Sequence, residues 1–283
     1  MSVHNALDEA FQQGRAESRA LCMPYLTAGF PGRDTFVDLC LAILEAGADA
    51  LEIGIPFSDP LLDGPSIQRS QQAALEAGTT PTDCLRFAAE IRRQSDKPLL
   101  FMGAFNPVMA FGMEAFCASA HDAGVSALII PDLPHEEQDE LRRATESHTL
   151  HLIQLVAPTS TQDRLRRVCA AASGFVYCIS VAGVTGVRSS VVETAQPLVA
   201  RVREHTDVPV AVGFGIAGPE QARAVGAFAD GVAVGSAIVD AVAEGTPEER
   251  SASVRSLVGG IVAALDRAPS PPAPPPPGRR GVT

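Results

Sequence analysis

Short apolar runs alternate along the chain with longer stretches whose apolar positions recur every three or four residues. The runs are LCMPYLTAG from 21, ALEIGI from 50, PLLFMGAF from 98, ALIIPD from 127, HLIQLVAP from 151, FVYCISV from 175, VPVAVGFGI from 208 and GVAVGSAIV from 231. Near-continuous runs of this kind read as parallel strands buried on both faces. The stretches between them, such as DTFVDLCLAILEAG, PTDCLRFAAEIRRQ and TQDRLRRVCAAAS, read as helices, several opening on Pro, Thr or Ser and closing on Gly.

Eight strand-helix units predict an α/β fold: a single-domain (β/α)8 TIM barrel over residues 1–267, with an extra N-terminal helix. The open alternative is a doubly wound sheet, because alternation alone does not show closure. The tail APSPPAPPPPGRRGVT, 268–283, is too rich in proline to pack and is expected to be disordered.

The second run breaks the apolar pattern. Glu52 sits between Leu51 and Ile53, and Asp59 and Asp63 follow on a loop stiffened by Pro56, Pro60 and Pro65. That loop is expected to run roughly 25 residues before the next helix, far beyond the usual connection of about 2 to 6, and long loops at strand ends are often lids. A carboxyl among Leu51, Ile53 and Ile55 is desolvated, which favours its neutral form and suits it to act as an acid near neutral pH. The structural alternative is a buried ion pair, but none of the eight runs contains Arg or Lys. Asp63, before Gly64 and Pro65, fits turn chemistry equally well. Asp59, before Pro60, reads as a turn or an interface contact.

Composition removes several classes. The chain of 283 residues is 46% hydrophobic and 19% charged, and no run approaches the roughly 18 apolar residues a membrane helix needs. With no secretory pattern at the start, a soluble, cytoplasmic protein is expected. Six cysteines without a C-x-x-C pair give neither a zinc site nor a disulfide framework. A formal net charge of -11 opposes nucleic acid as a partner. The single lysine, Lys97, precedes Pro98 at the wrong end of the third strand for Schiff-base chemistry. None of the six histidines falls at a strand end where metal ligands would converge, so no metal and no cofactor are expected.

Glycine-rich turns supply a different capacity. GFGIAG, 213–218, matches the dinucleotide fingerprint, but it comes late in the chain, with only one clear strand-helix unit after it. The same glycines fit a phosphate cup, since barrel loops after strands seven and eight hold phosphate on bare backbone N–H groups. AGVTG at 182–186 and VGSAIV, with Gly235 and Ser236, add turns at neighbouring strand ends. If carbon–carbon bonds are cleaved here, the electron sink belongs to the substrate.

Five segments in order, LEIGIPFSDPLLDGPSIQ, PDLPHEE, YCISVAGVTG, VGFGIAGPEQ and ADGVAVGSAIV, resemble the α subunit of tryptophan synthase over roughly residues 5 to 265. The resemblance implies a cofactor-free lyase of tryptophan biosynthesis that cleaves indole-3-glycerol phosphate to indole and glyceraldehyde 3-phosphate. It places the general acid-base role on Glu52, the ring N–H acceptor on Asp63, and the family's active-site tyrosine on Tyr177. Phe214 matches an indole-pocket aromatic, and Thr185 a loop threonine that helps close the site over Asp63. Gly186, Gly215, Gly235 and Ser236 match the phosphate-binding positions. Asp59, Pro60 and Pro134 match the contact with a pyridoxal-containing β subunit in an α2β2 heterotetramer.

The likeness has gaps. Ala104-Phe105-Asn106-Pro107 replaces the usual Tyr-Tyr-Asn-Pro, so one pocket hydroxyl is missing. Leu62 stands for alanine, His135 for proline, and Ala217-Gly218 for a Ser-containing turn. Three alternatives stay open: a free-standing indole-3-glycerol phosphate lyase releasing indole for another pathway, a phosphate-binding barrel isomerase, and a catalytically silent binding subunit.

Overall fold

The computed structural model describes residues 3–60, 63–179, 191–213 and 215–266. In chain order the elements are α1 (Ala6–Ala16), β1 (Leu21–Thr27), α2 (Phe36–Glu45), β2 (Leu51–Gly54), α3 (Pro65–Glu76), α4 (Pro81–Arg92), β3 (Leu99–Met102), α5 (Phe105–Phe111), α6 (Met113–Asp122), β4 (Val125–Ile129), α7 (Asp139–Ser147), β5 (His151–Leu152), β6 (Gln154–Val156), α8 (Gln162–Ala170), β7 (Val176–Ile179), α9 (Val191–Arg203), β8 (Val210–Gly213), α10 (Pro219–Gly226), β9 (Gly231–Val234), α11 (Ser236–Ala241) and α12 (Pro247–Leu265).

Every strand pair is parallel, in the order β5-β4-β3-β2-β1-β9-β8-β7-β6. The two ends of that order are one stretch of chain. His151 and Leu152 pair with β4, and Gln154 to Val156 pair with β7. Ile153 between them donates its N–H to the Leu128 carbonyl at 2.9 Å. The run read as strand five therefore splits its two edges between two partners and closes the sheet, which decides for the barrel over the open sheet.

Side chains of a strand alternate between faces, and the inward set is apolar at the N-terminal end of the barrel. Leu21, Met23, Leu100, Ile153 and Phe175 pack there with Leu7 and Phe11 of α1. The Phe11 and Phe175 rings lie 5.5 Å apart. The extra N-terminal helix is thus a plug, held by Asn5, whose side chain caps α1 and donates to the Ser126 and Thr149 carbonyls at 2.9 Å each. Helices cover the outside through a second buried cluster.

The long loop expected after β2 is shorter than the sequence implied. Gly64 is the cap and Pro65 the first residue of α3, because proline lacks only an N–H that a helix start leaves unpaired anyway. Short helices α5 and α11 also follow β3 and β9 directly. The tail from 268 lies outside the described residues. Among the described residues no helix is long and apolar enough to cross a membrane.

Candidate active site

With α1 closing the N-terminal end, polar inward positions collect at the other end. Glu52 continues the inward series from Ala50, sits across from Tyr25 on β1 and Leu100 on β3, and is 1% exposed. Its Oε1 has no hydrogen-bond partner among the described residues. Burial alone pushes its pKa up to about 8, so the group is mainly a neutral acid near pH 7.

Asp63 lies just before α3, half-buried. Its Oδ2 accepts from Gln71 Nε2 at 2.6 Å, its N–H donates to the Pro60 carbonyl at 3.2 Å, and its carbonyl accepts from Gln68 Nε2 at 2.8 Å. Burial raises its pKa above the ordinary aspartate value, while the Gln71 amide works in the opposite direction. Two carboxyls thus share one end of the barrel in different environments, one buried with an Oε1 that has no partner among the described residues, the other held by an amide.

The only two tyrosines of the chain stand beside them. Tyr177 on β7 is buried, and burial followed by the Glu52 charge drives its pKa well up. Burial is also the main cause of the rise at Tyr25, with smaller pushes from Asp63 and Glu52. Both hydroxyls occupy space left by glycines. A Cβ at Gly54 would lie 2.0 Å from Tyr25 Oη, and one at Gly213 would lie 2.2 Å from Tyr177 Oη.

Tyr25 also heads a buried hydroxyl chain. Its Oη is 3.2 Å from Thr27 Oγ1, which is 2.6 Å from Ser70 Oγ on α3, and Ser70 donates to the Ile67 carbonyl at 2.8 Å. Each hydroxyl has one proton, so the direction is set: Tyr25 donates to Thr27 and Thr27 to Ser70.

The turns carrying Gly215 and Gly235 follow β8 and β9 at the same end. Gly215 takes φ +80, and a Cβ there would come within 2.7 Å of Val191 Cγ2, so both conformation and space favour glycine. Gly235 caps α11 and Ser236 opens it, leaving first-turn N–H groups without intrahelical acceptors. Thr185, Gly186, Phe214 and Leu62 lie outside the described residues.

Asp59 and Pro134 are exposed and Pro60 half-buried, on the loops after β2 and β4. Met109 of α5, after β3, is 53% exposed, the one large hydrophobic side chain so exposed among the described residues. Asp132 accepts from the Phe105 N–H at 2.9 Å and so holds the start of α5. His135 faces a recess of about 190 Å³, its Nδ1 3.1 Å from Gln154 Oε1. At the opposite end a cavity of about 500 Å³ borders Asp8, Arg142 and His151, where the 2.8 Å Asp8–His151 contact ties α1 to β5. No group of three or more potential metal ligands occurs among the described residues.

Sequence reasoning missed Tyr25 and Gln71. Tyr25 was legible only as part of an apolar run, although strand alternation from Leu21 and Met23 points it inward. Gln71 lay in a stretch read as loop.

The family model for the tryptophan synthase alpha chain matches residues 11–262. The tryptophan synthase alpha chain of Chloroflexus aggregans is 44% identical over 264 residues, 93% of this chain and 99% of the relative. That of Opitutus terrae is 44% identical over 261 residues, 92% of this chain and 98% of the relative. Among solved structures, Mycobacterium tuberculosis tryptophan synthase superposes with a TM-score of 0.86 at 39% identity, covering 93% of this chain and 99% of that one. The alpha subunit from Legionella pneumophila does so with a TM-score of 0.83 at 32% identity, covering 93% and 99%.

Proposed function

The chain belongs to the tryptophan synthase alpha chain family, and from that premise we propose how its own residues carry the family's lyase reaction on indole-3-glycerol phosphate. The observation that carries the proposal is Glu52: a buried carboxyl, its Oε1 without a partner among the described residues, facing the barrel interior at the catalytic end.

In its neutral form Glu52 donates a proton to the indole ring carbon that bears the glycerol chain. The ring becomes a cationic indoleninium, and Asp63 accepts its N–H and offsets the charge. Glu52, now a carboxylate, takes the proton of the adjacent side-chain hydroxyl. The new C=O forms, the carbon–carbon bond breaks, and its electron pair returns to the ring as neutral indole. Glu52 ends as it began, and the electron sink is the substrate's own ring. Positioned proton transfers of this kind contribute about 10² to 10⁴-fold each.

Tyr177 and Tyr25 wall the pocket beside the two acids. Phe214 is assigned to the indole ring and Thr185 to closure over Asp63. The phosphate is assigned to backbone groups of Gly186, Gly215, Gly235 and Ser236, which lets an acidic protein hold an anion without a basic patch. All of this belongs to one catalytic domain, residues 1–267, and the reaction is placed in the cytoplasm.

The family works with a β subunit in α2β2 complexes. Asp59, Pro60 and Pro134 are assigned to that contact, and exposed Met109 at the same end of the barrel joins them. Indole release from indole-3-glycerol phosphate, measured for the chain alone and with the β subunit, tests the whole reading. It predicts slow release that rises with β and is lost in Glu52→Gln. Full speed alone with no response to β favours the free-standing lyase, and no indole in either case overturns the lyase.

A further inference from the structure

We propose that Gln71 is a positioning residue that holds the Asp63 carboxylate in its working orientation by clasping both ends of the loop between β2 and α3. The inference rests on the role given to Asp63 above and adds a residue to it.

The Gln71 side chain uses both ends of its amide. Nε2 donates to Asp63 Oδ2 at 2.6 Å, and Oε1 accepts from the Phe57 N–H at 3.0 Å. Phe57 follows shortly after Gly54, the last residue of the strand that carries Glu52. The planar amide therefore ties the second acid to the strand of the first, across a loop with Pro56 and Pro60. A glutamine on the solvated face of a helix would be exposed, as Gln68 and Gln72 are. Gln71 is 5% exposed.

The adjoining residue fixes the helix itself. Ser70, fully buried, accepts from Thr27 of β1 at 2.6 Å, so α3 is registered on the barrel by one residue and reaches Asp63 with the next. With Oδ2 held, Oδ1 is the oxygen left for the indole N–H. An N–H donated to a carboxylate favours its ionised form, the form that accepts the ring N–H, and opposes the burial that pushes Asp63 upward.

The test is the pH profile of kcat/KM for indole-3-glycerol phosphate cleavage by the full chain, with thermal melts, for wild type, Gln71→Leu, Gln71→Glu and Asp63→Asn. Gln71→Leu is expected to lose about ten- to a hundred-fold, with its acid limb moved to higher pH. In Gln71→Glu the introduced carboxyl repels Asp63 when ionised, but when protonated it again offers a donor to Asp63 and an acceptor to Phe57. That variant is expected to regain activity as pH falls through the range where wild type declines.

A wild-type acid limb in both Gln71 variants, with any loss confined to the folded fraction, overturns the positioning role. Should Gln71→Leu fail to fold, Gln71→Glu alone decides. Asp63→Asn separates the two levels: if it is inactive while both Gln71 variants behave as wild type, only the positioning role falls. If it keeps wild-type activity, the Asp63 reading falls and takes this one with it.

Discussion

Glu52 faces Tyr25 across the β1–β2 ladder, Cα partner to Cα partner, so a carboxyl and a phenol stand side by side on the inner wall of a closed barrel. No cation among the described residues bridges the carboxyl, and burial is the sole cause of its raised pKa. The protein retains an acid where an apolar side chain would cost less.

Stability should report the buried acid. The folded-state pKa of about 8 lies above the ordinary glutamate value of 4.5, so between them the native state binds more protons than the unfolded chain. Stability is then fully present at the acid end and falls as pH rises through about 8, by on the order of 5 kcal/mol in total. Glu52→Gln removes this dependence. Its denaturant midpoint relative to wild type should climb from about pH 5 to about pH 9, and a flat difference would contradict the assignment.

Activity should be bell-shaped in kcat/KM. The falling limb belongs to loss of the Glu52 proton near pH 8 in the free enzyme. The rising limb belongs to ionisation of Asp63, displaced upward from the ordinary aspartate range by burial. Asp63→Asn should abolish the rising limb along with most of the rate, which steady-state profiles of the two proteins would show.

Gly54 and Gly213 are the floor under the two tyrosine hydroxyls, where a Cβ would lie only 2.0 and 2.2 Å from the tyrosine oxygens. Gly54→Ala and Gly213→Ala should each destabilise by about 1 to 3 kcal/mol through overpacking. Each should also lower kcat/KM by displacing its ring, checked by melts and kinetics on the same preparations.

The N-terminal end of the barrel should behave differently. Asn5→Ala removes a helix cap worth about 1 kcal/mol together with the bonds to Ser126 and Thr149. The melting temperature should fall while kcat and KM stay unchanged, since packing at this end of the barrel serves stability and the chemistry sits at the other.

The sequence carried the barrel because buried parallel strands write themselves as apolar runs, and it carried Glu52 because a carboxyl inside such a run has no cheap structural reason. What it hid was contextual. Gly64-Pro65 is equally a turn and a helix start, and taking the turn erased α3 and with it Gln71. Tyr25 was hidden among the apolar residues of its run, since a phenol inside a core differs from a phenylalanine only through its partners. His151–Val156 read as one strand, and only the pairing of its two halves with different neighbours shows that it closes the sheet.

Burial keeps Glu52, at one end of this barrel, mainly a neutral acid at pH 7. An NMR pH titration of side-chain carboxyl-labelled glutamate, wild type against Glu52→Gln, addresses it directly. One resonance is expected to titrate near 8 and to be missing from the variant. A spectrum in which every glutamate titrates in the ordinary carboxylate range would contradict it.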